Sequence, residues 1–148
     1  IERKFLPSSL PEDLDQYPHI RMSQAYLCTA PVVRVRREGE AFVLTYKGSG
    51  MLSREEVNLP LTEEAFLHLL EKADGKVIEK TRYRVPLTGP YSHLTAEIDL
   101  FSGAYEGLRL LEVEFSDLDE AESFIPPAWF GEEVTYSEEY HNSYMSQH

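Results

Sequence analysis

The chain has 148 residues and a net charge of −12, from 14 basic and 26 acidic side chains. Its hydrophobic fraction of 42% and charged fraction of 27% are those of a globular protein and exclude a disordered or membrane-spanning chain. The acidic excess argues against a nucleic-acid or anionic-membrane binder, since such proteins rely on surplus Lys and Arg. The single cysteine, Cys28, excludes an internal disulfide and a cysteine-built metal site, so we expect a cytoplasmic protein.

Most of the sequence alternates between polar and apolar residues with a period of two, which predicts β-strands. Tight turns are indicated by Glu38-Gly39-Glu40 and Gly48-Ser49-Gly50. The pattern predicts eight strands, at residues 1–6, 18–29, 32–37, 40–47, 51–60, 77–88, 92–101 and 108–116.

Three further segments have helical patterns. Thr62 is a typical N-cap before two acids and an apolar stripe, and Asp117 opens a short helix that runs to about Phe124. Ser137 opens the third segment, 137–147. Eight strands in so short a chain predict an α+β protein, mainly antiparallel β, closed as a barrel, with residues 1–148 forming one domain.

Charged residues recur at alternate positions of nearly every predicted strand, so they point to the same side. This face holds 8 of the 14 basic residues, and the rest of the chain is strongly acidic. The set consists of Glu2, Lys4, Arg34, Arg36, Lys47, Arg54, Glu56, Lys80, Arg82, Arg84, Glu97, Asp99, Glu112 and Glu114.

A solvated outer face held by salt bridges is the ordinary explanation of such a pattern. Two observations favour a charged barrel interior instead. Basic and acidic residues are grouped by strand rather than mixed, and charge occupies nearly every polar position. Cations would neutralise phosphoryl oxygens, and carboxylates would supply oxygen ligands for Mg²⁺ or Mn²⁺, a combination typical of metal-assisted phosphoryl transfer.

The strand motifs resemble those of CYTH proteins, the triphosphate tunnel metalloenzymes. Ile1-Glu2-Arg3-Lys4-Phe5 is similar to the end of that family's E-x-E-R-K-F opening, and residues 20–27, with Gln24 and Tyr26, are similar to its second strand. The other matches, in the family's order, are Val33-Arg34-Val35-Arg36, Thr45-Tyr46-Lys47-Gly48, Ser53-Arg54-Glu55-Glu56, Lys80-Thr81-Arg82-Tyr83, Glu97-Ile98-Asp99 and Glu112-Val113-Glu114-Phe115.

This resemblance implies an eight-stranded tunnel in which a small triphosphate is hydrolysed by water with Mg²⁺ or Mn²⁺. Catalysis is assigned to Glu2, Lys4 and Glu114. Triphosphate binding is assigned to Lys4, Arg34, Arg36, Lys47, Arg54, Lys80 and Arg82, and metal binding to Glu2, Glu56, Asp99, Glu112 and Glu114. Two departures are notable: the family's leading Glu would precede Ile1, and Asn58 stands where many members have an acid.

Inorganic tripolyphosphate is the expected substrate, and several alternatives remain open. They are nucleoside or thiamine triphosphate hydrolysis, a class IV adenylate cyclase-like activity, and a non-catalytic polyphosphate- or nucleotide-binding module. A lipocalin-like carrier would need an apolar lumen, which conflicts with the charge pattern. We expect neither a nucleic-acid nor a membrane partner, and we expect a homodimer because three short helices cannot cover the whole apolar face.

Overall fold

The computed structural model describes residues 1–48 and 55–147. The α-helices of this part are α1 (Glu63–Leu70), α2 (Leu118–Ser123) and α3 (Asn142–Gln147). Short 3-10 helices lie at Leu14–Gln16, Gly89–Tyr91, Ala128–Phe130 and Glu138–Tyr140. The strands are β1 (Glu2–Leu6), β2 (His19–Thr29), β3 (Val32–Glu38), β4 (Ala41–Lys47), β5 (Glu56–Pro60), β6 (Asp74–Pro86), β7 (Thr95–Gly103), β8 (Arg109–Glu114) and β9 (Glu132–Glu133).

The strands follow the hydrogen-bonded order β5-β4-β3-β2-β6-β7-β8-β1-β9. The pairs of β1 with β8 and β9, of β3 with β2 and β4, of β4 with β5 and of β7 with β8 are antiparallel. The α+β, mainly antiparallel class is thus confirmed. Eight strands were predicted and the described part of the chain contains nine, because β9 has only two residues and therefore no alternation that could predict it. Among the described residues β5 and β9 end the order, so closure into a barrel is not observed.

The chain forms two compact units. The first unit consists of Ile1–Ile20, Thr81–Phe101 and Gly107–Ser137, and the second of Arg21–Lys80, Ser102–Glu106 and Glu138–His148. Each has its own apolar core, and each is described by itself.

In the first unit the apolar positions of β1, β7 and β8 form one side of a core. Phe5, Ile98 and Leu111 are fully buried there. Phe130, from the 3-10 turn after β8 and α2, contacts Phe5 with ring centroids 5.0 Å apart. The N-cap predicted at Asp117 is confirmed, since its carboxylate accepts the Glu120 N–H at 2.8 Å.

In the second unit α1 covers the apolar side of β3 and β4. Val35, Phe42 and Phe66 pack together there and are all buried. Thr62 caps α1 as predicted, with its hydroxyl oxygen accepting the Ala65 N–H at 3.1 Å. Gly39 makes the tight turn between β3 and β4 with a φ of 60°. Apolar side chains on one side of the sheet therefore lie under a helix, as the alternation predicted.

Some predicted boundaries shift. The segment predicted as one helix, 137–147, is divided into the 3-10 turn Glu138–Tyr140 and α3. β6 begins at Asp74, before the predicted start at residue 77, because Gly75 adopts a φ of 75° within the strand instead of ending it. Residues 51–54 of the predicted fifth strand and Ser49-Gly50 of the second turn lie outside the described residues. None of the helices in the described part is long and apolar enough to span a bilayer.

Gly131 has a backbone that other residues rarely adopt, and it provides a stability test. Its φ of 73° and ψ of −147° favour glycine, and an added Cβ would collide with the Leu6 carbonyl oxygen. We expect Gly131→Ala to lower the free energy of unfolding by more than about 3 kcal/mol.

Gly39→Ala is the matched control, since Gly39 also has a positive φ but nothing lies within 4 Å of its added Cβ. It should cost only about 1 to 2 kcal/mol. Urea unfolding measures both values, and equal losses would contradict the close approach at Leu6.

Candidate functional site

The charged face predicted from alternation exists in the first unit. The β1–β8 register places Glu2 opposite Glu114 and Lys4 opposite Glu112. The β7–β8 register places Glu97 opposite Glu112. Directly opposed residues of an antiparallel pair lie on the same side of the sheet, so these residues share one face, called here the acidic face.

Glu2, Lys4 and Glu112 form the closest group on the acidic face. Lys4 Nζ lies 3.4 Å from Glu112 Oε1, and these side chains are only 12% and 15% exposed. Partial burial, a hydrogen bond with Glu112 and repulsion from its charge raise the pKa of Glu2 from 4.5 to about 7. A carboxyl group that keeps its proton to near neutral pH beside a second carboxylate forms a site where a cation can replace that proton.

Arg82 holds the other end of this face. Its Nε and Nη2 donate to the two carboxylate oxygens of Asp99 at 2.8 and 2.9 Å, and Nη1 lies 3.7 Å from Glu97. Burial acts to lower the pKa of Arg82, but the hydrogen bonds and charges of Asp99 and Glu97 outweigh it and raise the pKa. Asp99 is 2% exposed, so its charge depends on this bidentate partner.

The outer members of the acidic face are more accessible. Glu114 is 68% exposed at its side chain and accepts a hydrogen bond from the Ile1 amino group at 3.0 Å. Arg84 is 63% exposed and lies 3.9 Å from Glu97. Three outcomes follow for the carboxylates assigned to metal binding. Glu2 lies beside Glu112, and Glu114 is opposite Glu2 in the strand register. Asp99 is bound to Arg82.

The second unit carries most of the predicted phosphate-binding cations. Arg34 and Arg36 alternate along β3, where Arg36 Nε lies 3.1 Å from Glu38 Oε1. Lys47 Nζ lies 3.3 Å from Glu56 Oε1. Lys80 is 4% exposed, which is rare for a lysine. Arg54 lies outside the described residues.

Asn58, where the family resemblance leads us to expect an acid, is hydrogen-bonded within the second unit. Its Oδ1 accepts the Thr45 hydroxyl proton at 2.7 Å, and Thr45 is fully buried. The amide thus has a local partner, so the sequence departure does not leave an unmatched polar group here.

Two buried charges do not fit the explanation of the charged pattern as a fully solvated face. A solvated outer face would expose its ion pairs, but Asp99 and Lys80 are 2% and 4% exposed. Removing these charges from water is costly unless a partner or a ligand compensates them. At these two positions, therefore, the charged side chain lies inside the protein.

The carboxylates of the acidic face are candidate ligands for a divalent cation. Within residues 1–48 and 55–147, no group of three or more His, Cys, Asp or Glu side chains is arranged to hold a metal ion. Mg²⁺, however, is commonly held by one or two carboxylates together with water and substrate phosphate. The hydrogen-bonded Glu2–Glu112 pair supplies such hard oxygen donors and fits this mode of binding.

Two polar side chains gain roles that the sequence did not predict. Arg3 lies on the opposite side of β1 from Glu2 and Lys4, where it binds Glu133 in a bidentate pair at 2.7 and 2.9 Å. This contact raises the pKa of Arg3 and lowers that of Glu133. Gln24 is 4% exposed in β2. Gln24 lies two residues before Tyr26 and therefore on the same side of β2, and this spacing is the sequence feature from which its burial could have been predicted.

Comparison with known proteins identifies relatives along nearly the whole chain. An inorganic triphosphatase of Nitrosomonas europaea is 39% identical over 150 residues, which cover 99% of this chain and 95% of that protein. An inorganic triphosphatase of Acetivibrio thermocellus is 35% identical over 154 residues, with coverages of 97% and 90%. A scan against protein-family models gives no match.

Solved structures give the same relationship. The crystal structure of an inorganic triphosphatase has a TM-score of 0.84 and 34% identity, and the match covers 100% of this chain and 94% of that one. A proposed adenylate cyclase from Bacillus halodurans shares the fold, with a TM-score of 0.50, 15% identity and coverages of 82% and 83%. By its identity to the two curated enzymes, the chain belongs to the inorganic triphosphatases of the CYTH family, which are phosphoric anhydride hydrolases.

Proposed function

We propose that this protein is a metal-dependent inorganic triphosphatase whose substrate is tripolyphosphate. The observation that carries the proposal is the group on β1 and β8, where Lys4 Nζ lies 3.4 Å from Glu112 Oε1 and Glu2 lies on the same face, two residues before Lys4. A cation and a carboxylate pair side by side suit a phosphoryl group and its metal at one place. The substrate is supported by relatives that are themselves inorganic triphosphatases.

In the first unit, Glu2 and Glu112 would hold Mg²⁺ or Mn²⁺, with Glu114 and Asp99 as the further ligands that the family resemblance implies. A bound divalent ion supplies charge neutralisation at phosphoryl oxygens and activation of water. Lys4 contributes a positive charge beside the carboxylates and would bind a phosphoryl oxygen. Its 12% exposure keeps that charge poorly solvated, which strengthens its interaction with an anion.

Arg82 would bind phosphate and also fix Asp99. Its bidentate contact with Asp99 leaves Nη1 directed toward Glu97 at 3.7 Å, a distance too long for a hydrogen bond. This arm is the one that a phosphoryl oxygen would meet. Glu2, Lys4 and Glu114 remain the residues proposed for catalysis.

In the second unit, Arg34, Arg36, Lys47 and Lys80 are proposed as triphosphate-binding residues, with Glu56 as a metal ligand. The low exposure of Lys80 supports this role, because a buried ammonium gains most from an anionic ligand. Arg54 is proposed for the same role on the family motif alone.

The proposal includes a closed eight-stranded tunnel and one domain spanning residues 1–148. Coverage of 100% of this chain by the triphosphatase structure at a TM-score of 0.84 supports both. A homodimer also belongs to the proposal, and light scattering tests it. Purely monomeric protein would remove it.

A substrate panel tests the reaction. Phosphate release from tripolyphosphate, ATP and thiamine triphosphate is measured with Mg²⁺ and with Mn²⁺, and with EDTA as the control. We expect tripolyphosphate to have the highest kcat/KM and EDTA to abolish turnover. Preference for ATP would replace the substrate, and tight binding without release in any metal would favour a non-catalytic module.

Two single variants should separate substrate binding from metal use. Lys80→Ala should raise the KM for tripolyphosphate by roughly 10- to 100-fold, since hydrogen bonds to charged groups contribute about 1.5 to 3 kcal/mol. Glu114→Ala should instead raise the metal concentration needed for half-maximal rate. Exposed Lys72 provides the control variant, Lys72→Ala. Activity equal to wild type in both test variants would remove the proposed division of roles.

The raised pKa of Glu2 gives a pH dependence. Because folding raises this pKa from 4.5 to about 7, the group's contribution to stability is complete below pH 4.5 and is lost as pH rises through about 7. A metal ion competes with the proton for the same oxygens, so metal binding should become tighter over this range.

Thermal melting of the protein with and without Mg²⁺ measures this effect. We expect the metal-induced rise in Tm to be clearly larger at pH 8 than at pH 6. Glu2→Gln should flatten this dependence, and Glu12→Gln, at an exposed glutamate, should retain it. A pH-independent shift in the wild type would argue against Glu2 as a ligand.

A further inference from the structure

Gln24 is a buried polar residue in the middle of β2. It is 4% exposed, and its side-chain nitrogen Nε2 is fully buried with no hydrogen-bond partner in the part of the chain that the structure describes. An amide nitrogen carries two N–H donors, and leaving them unmade inside a protein destabilises the folded state. Such a group needs an explanation, and a ligand that the structure lacks is one.

The position of Gln24 places it among the proposed phosphate-binding residues of the second unit. The β2–β3 register sets Gln24 opposite Arg36, and sets Tyr26, two residues on, opposite Arg34. Opposed residues share a face, so Gln24 lies beside Arg36 and diagonal to Arg34.

Arg34 repeats the same feature. Its Nε is buried and makes no hydrogen bond within the described residues. Arg36 Nε is also buried without a hydrogen bond of good geometry among the described residues, but it has an ion-pair partner, because it lies 3.1 Å from Glu38 Oε1. Two neighbouring side chains on one face, Gln24 and Arg34, therefore hold buried donors for which residues 1–48 and 55–147 supply no acceptor.

The missing partner has a definite chemistry. It must offer acceptors only, since both side chains present donors here, and it must suit the positive charge of Arg34. Phosphoryl oxygens meet both conditions. A water molecule could accept the same hydrogen bonds, but it carries no charge to match the guanidinium group of Arg34. No carboxylate of the described residues accepts from Gln24 Nε2 or Arg34 Nε.

We propose that Gln24 is a substrate-binding residue that donates its amide N–H to a phosphoryl oxygen beside Arg34. This inference rests on the proposed function and extends its binding site to a neutral residue. Lysines and arginines attract any anion, whereas an amide donor on a strand selects for an acceptor at one place. Gln24 would thus contribute orientation of the phosphate chain rather than charge.

The variant Gln24→Met tests the proposal because it keeps the length of the side chain and removes both donors. We expect tripolyphosphate binding, measured by calorimetry without metal, to weaken about tenfold or more. The KM should rise by a similar factor. The Tm of the ligand-free protein should be unchanged or higher, because removing an unmatched buried donor does not destabilise the fold.

Gln16→Met is the matched control, since it makes the same chemical change at an exposed glutamine. It should leave both affinity and Tm at wild-type values. Gln24→Glu adds a negative charge at the proposed contact and should weaken binding more than Gln24→Met does.

The outcomes separate this inference from the proposed function. Wild-type binding without hydrolysis would overturn the triphosphatase proposal while the Gln24 contact remains supported by weaker binding in the variant. Unchanged affinity in Gln24→Met would overturn the contact alone. A fall in Tm of more than about 4 °C would also overturn it, because it would show a structural partner for the amide. If the wild type binds no tripolyphosphate, both proposals fail.

Discussion

A charged side chain that is buried on a sheet needs a partner of opposite charge on a neighbouring strand, and in this protein the Arg82–Asp99 pair shows this most clearly. Asp99 is 2% exposed and receives two hydrogen bonds from the guanidinium group. On the next strand pair, Glu97 and Glu112 stand directly opposite each other, which is unfavourable for like charges. Arg82 on one side and Lys4 on the other compensate them. The order of charges across the strands thus holds the acidic face together.

The acidic face has more carboxylates than cations, so its negative charge is only partly neutralised by the protein. Partial burial, together with the neighbouring carboxyl group of Glu112, raises the pKa of Glu2 to about 7. A divalent cation would relieve that repulsion more completely than one proton can. Stability and function therefore oppose each other at this place: Ala or Leu would be easier to bury, but they would bind neither metal nor phosphate. The second unit shows the same compromise in Lys80 and in the buried donors of Gln24 and Arg34.

Local patterns in the sequence predicted the features that depend on neighbouring residues. Strand alternation, the caps at Thr62 and Asp117, and the turn at Gly39 each depend on a few adjacent side chains, and all are confirmed. The two-residue strand β9 has no period to detect. Closure of the barrel, and the binding roles of the charged residues, stay predictions.

The partners of individual charged residues could not be predicted, because they are set by pairing between distant parts of the chain. Asp99 was assigned to a metal and Arg82 to phosphate, whereas the structure shows them bound to each other. Gln24 matches a family motif but has no predicted role, since a neutral residue adds nothing to a count of charges. Its significance depends on burial, which composition does not reveal.

Arg3 helps to fix the register of β1 and so restricts insertions and deletions in this strand. A shift of one residue against β8 would turn Glu2 and Lys4 toward the apolar core and would turn the apolar side chains of β1 toward the acidic face. Such a shift is therefore unfavourable on both sides of the sheet. A shift of two residues would keep the faces and merely place Lys4 opposite Glu114. Arg3 opposes this second shift as well, because it would lose Glu133 and the carbonyl oxygens of Ala121 and Phe124, which it binds at 2.8 and 3.0 Å. Insertions and deletions should therefore be excluded from Glu2–Leu6 in any working variant of this enzyme, whether they arise in evolution or by design.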